Sequence, residues 1–232
     1  MRPRLTSSTL VTLFAAGAIS ACGGSSSPSG NGVASKSPDA IVSTATSAID
    51  GVSSVHVSGS VVSGGTPISL DLSLVSGKGA RGSMSENGLG FQLIGVGQYV
   101  YINGSPAFWS HFGGAAAAQL FQGKWLKAPA STGNFASLSS LTNLHQLLSG
   151  LLSSHGTLSK GATTTVNGQK VVPVKDTSKG GTLFVATTGK PYPVEILKTG
   201  AAGGHITFDR FNQSVSLTAP AHSIDISQLK TK

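Results

Sequence analysis

The chain has 232 residues, with 16 Lys or Arg against 8 Asp or Glu for a formal charge of +8, and a single cysteine. One cysteine excludes an intramolecular disulfide framework, so a packed core has to hold the fold. The basic residues are scattered without a run of five or six like charges, which argues against a nucleic-acid partner. Only 10% of residues are charged, where about 25% is usual in soluble domains, so Ser, Thr and Gly supply the polar surface, as in many exported chains. Aromatic residues make up 6%, which leaves Val, Leu, Ile and Ala to build the core.

Arg2 and Arg4 precede a short apolar run from Leu10 to Ile19. Its length is about half of the ~20 residues a helix needs to cross a bilayer, so residues 1–21 read as a removable signal peptide. The run closes on Ile19-Ser20-Ala21-Cys22, and this sequence resembles the lipobox of bacterial lipoproteins. That resemblance implies a diacylglycerol thioether on Cys22, a lipid anchor in the cell membrane and a domain facing outside the cytoplasm. One acyl chain holds a protein on a membrane only marginally, whereas two or more anchor it stably. The competing reading is a plain secretory peptide with an accidental cysteine.

Residues 23–37 (GGSSSPSGNGVASKS) carry almost no apolar side chains and read as a flexible linker spanning ~20 Å on average. The folded domain is expected over 38–232. Ser37-Pro38-Asp39 suits a helix start, with Ile41, Ala45, Ala48 and Ile49 on one face and Gly51 as a stop. Val55 to Val61 alternates apolar with polar, as does Ile68 to Leu74 after a Gly-Gly-Thr-Pro turn. That period of two predicts antiparallel strands with one wet face and one buried face. Further strands are expected at 89–96 and 98–102. Residues 105–134 break the rhythm with Phe108, Trp109, Phe112, Phe121 and Trp125 around an Ala115–Ala118 run that suits a short helix. A longer helix is expected from Phe135 to Leu152, its leucines covering about 180° of the surface against the roughly 100° of an ordinary apolar stripe. Such a helix belongs deep in a concave surface. Strands then resume at 163–166 and 170–174 around Asn167-Gly168, a hairpin signal, and continue at 182–186, 194–197, 205–211 and 215–217. Ile224 and Ile226 suit a short edge. About ten strands with helices in front and in the middle define one α+β domain.

The motifs of catalysis are missing. Gly77-Lys78-Gly79-Ala80-Arg81-Gly82 matches G-x-G-x-x-G, yet no helix pattern follows, so it reads as a Gly-rich hairpin and not a dinucleotide site. No G-x-S-x-G elbow, Walker loop or H-E-x-x-H occurs. The six histidines have no metal-like spacing, and the carboxylates suggest no acid–base pair. His145, within the leucine arc, fits a satisfied core or rim residue better than a functional one. Trp109 and Trp125 suit packing at a helix–sheet junction, with sugar stacking as the alternative. No enzyme, metal or cofactor is indicated.

The order of features carries a family resemblance: lipobox, helix, alternating sheet, Tyr99-Val100-Tyr101-Ile102-Asn103-Gly104, a Trp, Gly-Lys-Trp-Leu-Lys and a Leu-rich helix. The end, His205–Phe211, Leu217-Thr218-Ala219-Pro220 and Ile224-Asp225-Ile226, fits too. Together these resemble the actinobacterial LppX/LprAFG lipoproteins, relatives of the LolA/LolB carriers, over nearly all of the chain beyond residue 38. The resemblance implies a strongly curved antiparallel half-barrel with helices closing its concave face over an apolar cavity. It also implies binding of acylated lipid or glycolipid and its carriage within the envelope, with an envelope transporter as a fitting partner. Strand parity and the leucine helix nominate Leu70, Leu72, Phe91, Leu93, Leu144, Leu148 and Phe208 as cavity-facing. A domain whose interior is simply filled, serving envelope interaction or sensing without lipid cargo, is the alternative.

Overall fold

A computed structural model describes residues 30–132, 138, 141–153, 155–201 and 203–228. The leader, Cys22 and the first part of the linker lie outside these residues. From Gly30 onward the expected linker is instead folded. Asn31 donates from Nδ2 to the Ala186 carbonyl at 2.9 Å, and a 3-10 turn at Val33–Ser35 buries Val33 to 1% exposure. Val33 is the one large apolar side chain of the stretch, and it suffices to seat the segment in the core. Residues 30–37 therefore belong to the folded part of the chain.

Helix α1 (Pro38–Asp50) forms as its sequence dictates. Ser37 Oγ accepts from the Ala40 amide at the N-cap, Pro38 occupies the first turn, and Ile41, Val42, Ala45 and Ile49 are buried. Strands β1 (Ser54–Ser63), β2 (Thr66–Val75), β3 (Gly79–Glu86), β4 (Leu89–Val96) and β5 (Tyr99–Gly104) form a continuous antiparallel meander. Helix α2 (Pro106–Phe121), capped by Ser105 and kinked at Gly114 (φ 74°), leads into β6 (Leu126–Pro129). Helix α3 (Leu144–Ser153) follows. Then come β7 (Leu158–Lys160), β8 (Thr164–Val166), β9 (Gln169–Asp176), β10 (Thr182–Ala186), β11 (Pro193–Lys198), β12 (Gly204–Asp209) and β13 (Ile224–Asp225). Among the described residues these thirteen strands make one unclosed, curved sheet, ordered β13-β6-β5-β4-β3-β2-β1-β12-β11-β10-β9-β7, with β8 on β9. All pairings are antiparallel except β13 on β6. The helices lie on its concave side.

Both edges of this open sheet are blunted, as unpaired strand edges invite aggregation. One is the two-residue β13. The other is the three-residue β7, where Lys160 Nζ donates to the Ala34 and Lys36 carbonyls and straps the N-terminal segment across the edge.

Several expectations need correction. The sheet has thirteen strands instead of about ten. The Gly-rich hairpin at 77–82 is present as the β2–β3 turn, but Gly79–Glu86, where no strand is expected, forms the interior strand β3. Its sequence, GARGSMSE, has little strand propensity, but strong partners on both sides impose the conformation. Gly82 is required there, because a Cβ would stand 1.9 Å from the Asp71 carbonyl oxygen. The Ala-run helix is longer than foreseen, and residues 215–217 form no strand. The leucine helix is described only from Leu144. Asn143 caps it, with Oδ1 accepting from the Gln146 amide at 3.0 Å. Residues 133–137 and 139–140 of the expected longer helix lie outside the described residues.

Candidate functional site

The concave face is built from cross-strand rows. One row joins Phe208, Val57, Leu72, Gly82, Leu93, Ile102 and Leu126 across seven neighbouring strands. A second, two residues along, joins Gly59, Leu70, Met84, Phe91 and Gly104. The parity read from the sequence thus places Leu70, Leu72, Phe91, Leu93 and Phe208 on the face the helices cover. From the other side α3 contributes Leu144, Leu148 and Leu152, and α1 contributes Ile41, Ala45 and Ile49. All of these belong to one apolar cluster.

The structure brings the seven nominated residues together, and it packs them. Leu72, Leu93 and Leu148 are fully buried, and Leu144 and Phe208 are each 1% exposed. Leu70 and Phe91 are half-buried at the margin of the same cluster, where Phe108 of α2 meets Phe91 at 5.2 Å between ring centroids. An apolar crevice does open beside α3, lined by Val42, Leu151, Leu152, Val174, Leu183 and Ile196, with His155 and Asp176 at its edge. Its volume is about 90 Å³. That holds a few water-sized groups. A long acyl chain would not fit without movement of α3.

The aromatic segment divides. Trp109 is buried, packed edge-on to Phe108 at 4.9 Å and against Phe121 at 5.4 Å, with its Nε1 finding no partner among the described residues. This is the junction packing expected of it. Trp125 is half-buried on the opposite, convex side of the sheet. Phe112 and Leu120 of α2 are 65% and 54% exposed. His145 sits at the rim with Nε2 3.1 Å from Ser76 Oγ, a satisfied position.

Sequence reasoning missed one polar constellation. On the convex face His56, 6% exposed, directs Nδ1 at Asp209 Oδ1 (2.6 Å) and Nε2 at Asp71 Oδ1 (3.0 Å). The Arg210 guanidinium lies 3.1 Å from Nδ1 and 3.5 Å from Asp209 Oδ1. These residues come from β1, β2, the end of β12 and the residue after it. Alternation alone puts His56 and Asp71 on the wet faces of their strands, but their meeting depends on the β1–β2 and β1–β12 registers, which no short motif encodes. Among the described residues no cluster has the make-up of a metal site, and no helix is long and apolar enough to cross a membrane.

No family model matches the chain, and no curated protein matches its sequence. Solved structures do. LprF from Mycobacterium bovis aligns over 79% of this chain and 97% of its own, with a TM-score of 0.52 and 15% identity. The lipoprotein LppX of Mycobacterium tuberculosis aligns over 78% of this chain and 98% of its own, with a TM-score of 0.52 and 17% identity. The chain has the fold of these two proteins.

Proposed function

We propose that this chain, which carries the LprF and LppX fold, is a lipid-anchored envelope lipoprotein that binds acylated lipid or glycolipid between its sheet and helices and carries it within the envelope. One observation supports the reading above the others. The concave face is apolar across seven strands and is covered by helices instead of by a second sheet. Cys22 supplies the anchor, and residues 23–29 the tether. Loading begins at the crevice beside α3 and requires this ten-residue helix to swing away, exposing Leu72, Leu93, Leu144, Leu148 and Phe208 to the incoming chain. Such a state exchanges Leu–Leu contacts for Leu–acyl contacts of similar chemistry, which keeps the cost of opening low once lipid is present.

Native mass spectrometry on the full-length chain, extracted in mild detergent, tests this. Co-purifying species with the mass of one acylated lipid are the expected result. A bare chain even after incubation with envelope lipid extract would overturn the proposal. The close packing of the interior around one small crevice favours a second reading, an envelope interaction protein that holds no cargo, and the same bare spectrum is its expected outcome.

A further inference from the structure

The convex face of the sheet carries rows of its own. Asp71, Ser83, Gln92 and Asn103 stand in register on β2, β3, β4 and β5. Two residues to one side run Ser69 and Ser85, with Ser105 at the end of β5. Two residues to the other side run His56, Ser73 and Arg81. Between these rows lie two shallow troughs of about 620 Å³ and about 500 Å³, which share Asp71, Ser83 and Gln92 as their common wall. Trp125 lines the second trough.

We propose that this face is a binding site for a neutral polysaccharide strand, independent of the acyl-binding interior. Four properties select that ligand. The wall is a ladder of hydroxyl, amide and carboxylate groups repeating at the strand spacing of about 4.7–4.9 Å, close to the length of one pyranose unit. Among the described residues the side chains of Arg81, Ser83, Gln92 and Asn103 have no hydrogen-bond partner, so donors and acceptors stand ready for sugar hydroxyls. Asp71 is pre-oriented: Oδ1 is fixed by the buried His56, itself fixed by Asp209, which leaves Oδ2 for a sugar diol on a side chain 67% exposed. Trp125, half-buried, lines the second trough and brings to it an indole, the side chain on which the C–H side of a pyranose stacks.

Other ligands fit less well. The chain is strongly basic overall, yet in this region Asp71 and Asp209 balance Arg81 and Arg210, so nothing gathers the positive charge a polyanion would need. An extended peptide would look for a free strand edge or apolar side-chain pockets, and the middle of a polar sheet face supplies neither. His56 acts here as a positioning residue, because it touches the ligand only through Asp71.

Affinity electrophoresis of the full-length chain through gels containing linear glucan, mannan, galactan or arabinan tests the assignment, with dextran sulfate as the polyanion. Retardation by at least one neutral polymer is expected, weakened tenfold or more in Trp125→Ala and largely kept in Trp125→Phe. Asp71→Asn should weaken it less, and His56→Gln should match Asp71→Asn while leaving Trp125 fluorescence quenching by the polymer in place. If Trp125→Ala fails to fold, Ser83→Trp, an exposed change in the shared wall, should abolish retardation by obstruction. Absence of retardation by every neutral polymer overturns the proposal. So does retardation by dextran sulfate alone, or binding that survives both Trp125→Ala and Ser83→Trp.

Discussion

Leu148→Ala tests whether the interior is a core or a vacancy. Leu148 is fully buried on α3, in one cluster with the inner rows of the sheet. In a packed site the substitution loses the transfer free energy of the deleted atoms and adds a cavity term of about 24 cal/mol per Å³, in total about 2–5 kcal/mol. Domains of this kind have about 5–15 kcal/mol in all, so the loss is a large fraction of the whole. For 150–250 residues each kcal/mol moves Tm by about 2–4 °C, so a fall of roughly 4–20 °C is expected. Urea unfolding of the lipid-free chain followed by circular dichroism measures it, with Leu151→Ala as internal control. Leu151, on the same helix, is 37% exposed and should cost less than half as much. A Leu148→Ala cost below about 1 kcal/mol at unchanged m-value would mean that the side chain faces empty space, and the packed-interior argument would be wrong.

Three further outcomes follow from local geometry. Gly82→Ala drives a methyl group into the β2 backbone at Asp71 and should cost about 3 kcal/mol or more in thermal unfolding; a change below 1 kcal/mol would show that β3 can move away. The Ser227 hydroxyl and then Lys127 hold the Asp225 carboxyl below its ordinary value. Its folded value is depressed, so its contribution to stability is full above about pH 4 and disappears as pH falls through the lower folded value. Wild type and Asp225→Asn should therefore differ in Tm at pH 7 and converge toward pH 2; a constant gap contradicts the assignment. Ser37→Ala removes the α1 N-cap and should cost about 1 kcal/mol by urea unfolding, with a loss under 0.3 kcal/mol counting against the cap.

Much of the architecture is legible in the sequence because it is written in alternation. Val55–Val57, Leu70–Leu74 and Phe91–Leu93 repeat with a period of two, and the structure puts each apolar member on the covered face. The cap at Ser37 and the turn at Asn167-Gly168 are equally plain, since each depends on neighbours in sequence. What escaped depends on pairing. The burial of Val33 in a polar stretch depends on α1 and on β9, which is distant in sequence. Leu144 and Leu148 are buried toward the sheet, and periodicity, which gives direction and not distance, does not say whether such side chains meet it or leave a gap.

The central strand β3 shows how one such omission spreads. Propensity alone assigns GARGSMSE no strand, and removing it from the sheet separates β2 from β4. With β3 in place, Ser83 falls between Asp71 and Gln92, and Arg81 beside Ser73, so that polar residues scattered in sequence become an unbroken wall. The lack of bulk that weakens β3 as a strand is what its neighbours require: Gly82 lets β2 approach, and the small Ser83 and Ser85 keep the troughs open. Both faces of the sheet therefore depend on this strand. Ala80 and Met84 turn inward to the apolar cluster, while Arg81, Ser83 and Ser85 turn outward to the polar rows. A substitution that slips β3 by one residue would exchange the two sets, emptying the core and filling the outer troughs at once. The lipid-binding and polysaccharide-binding proposals are chemically independent, and they share this one structural dependence.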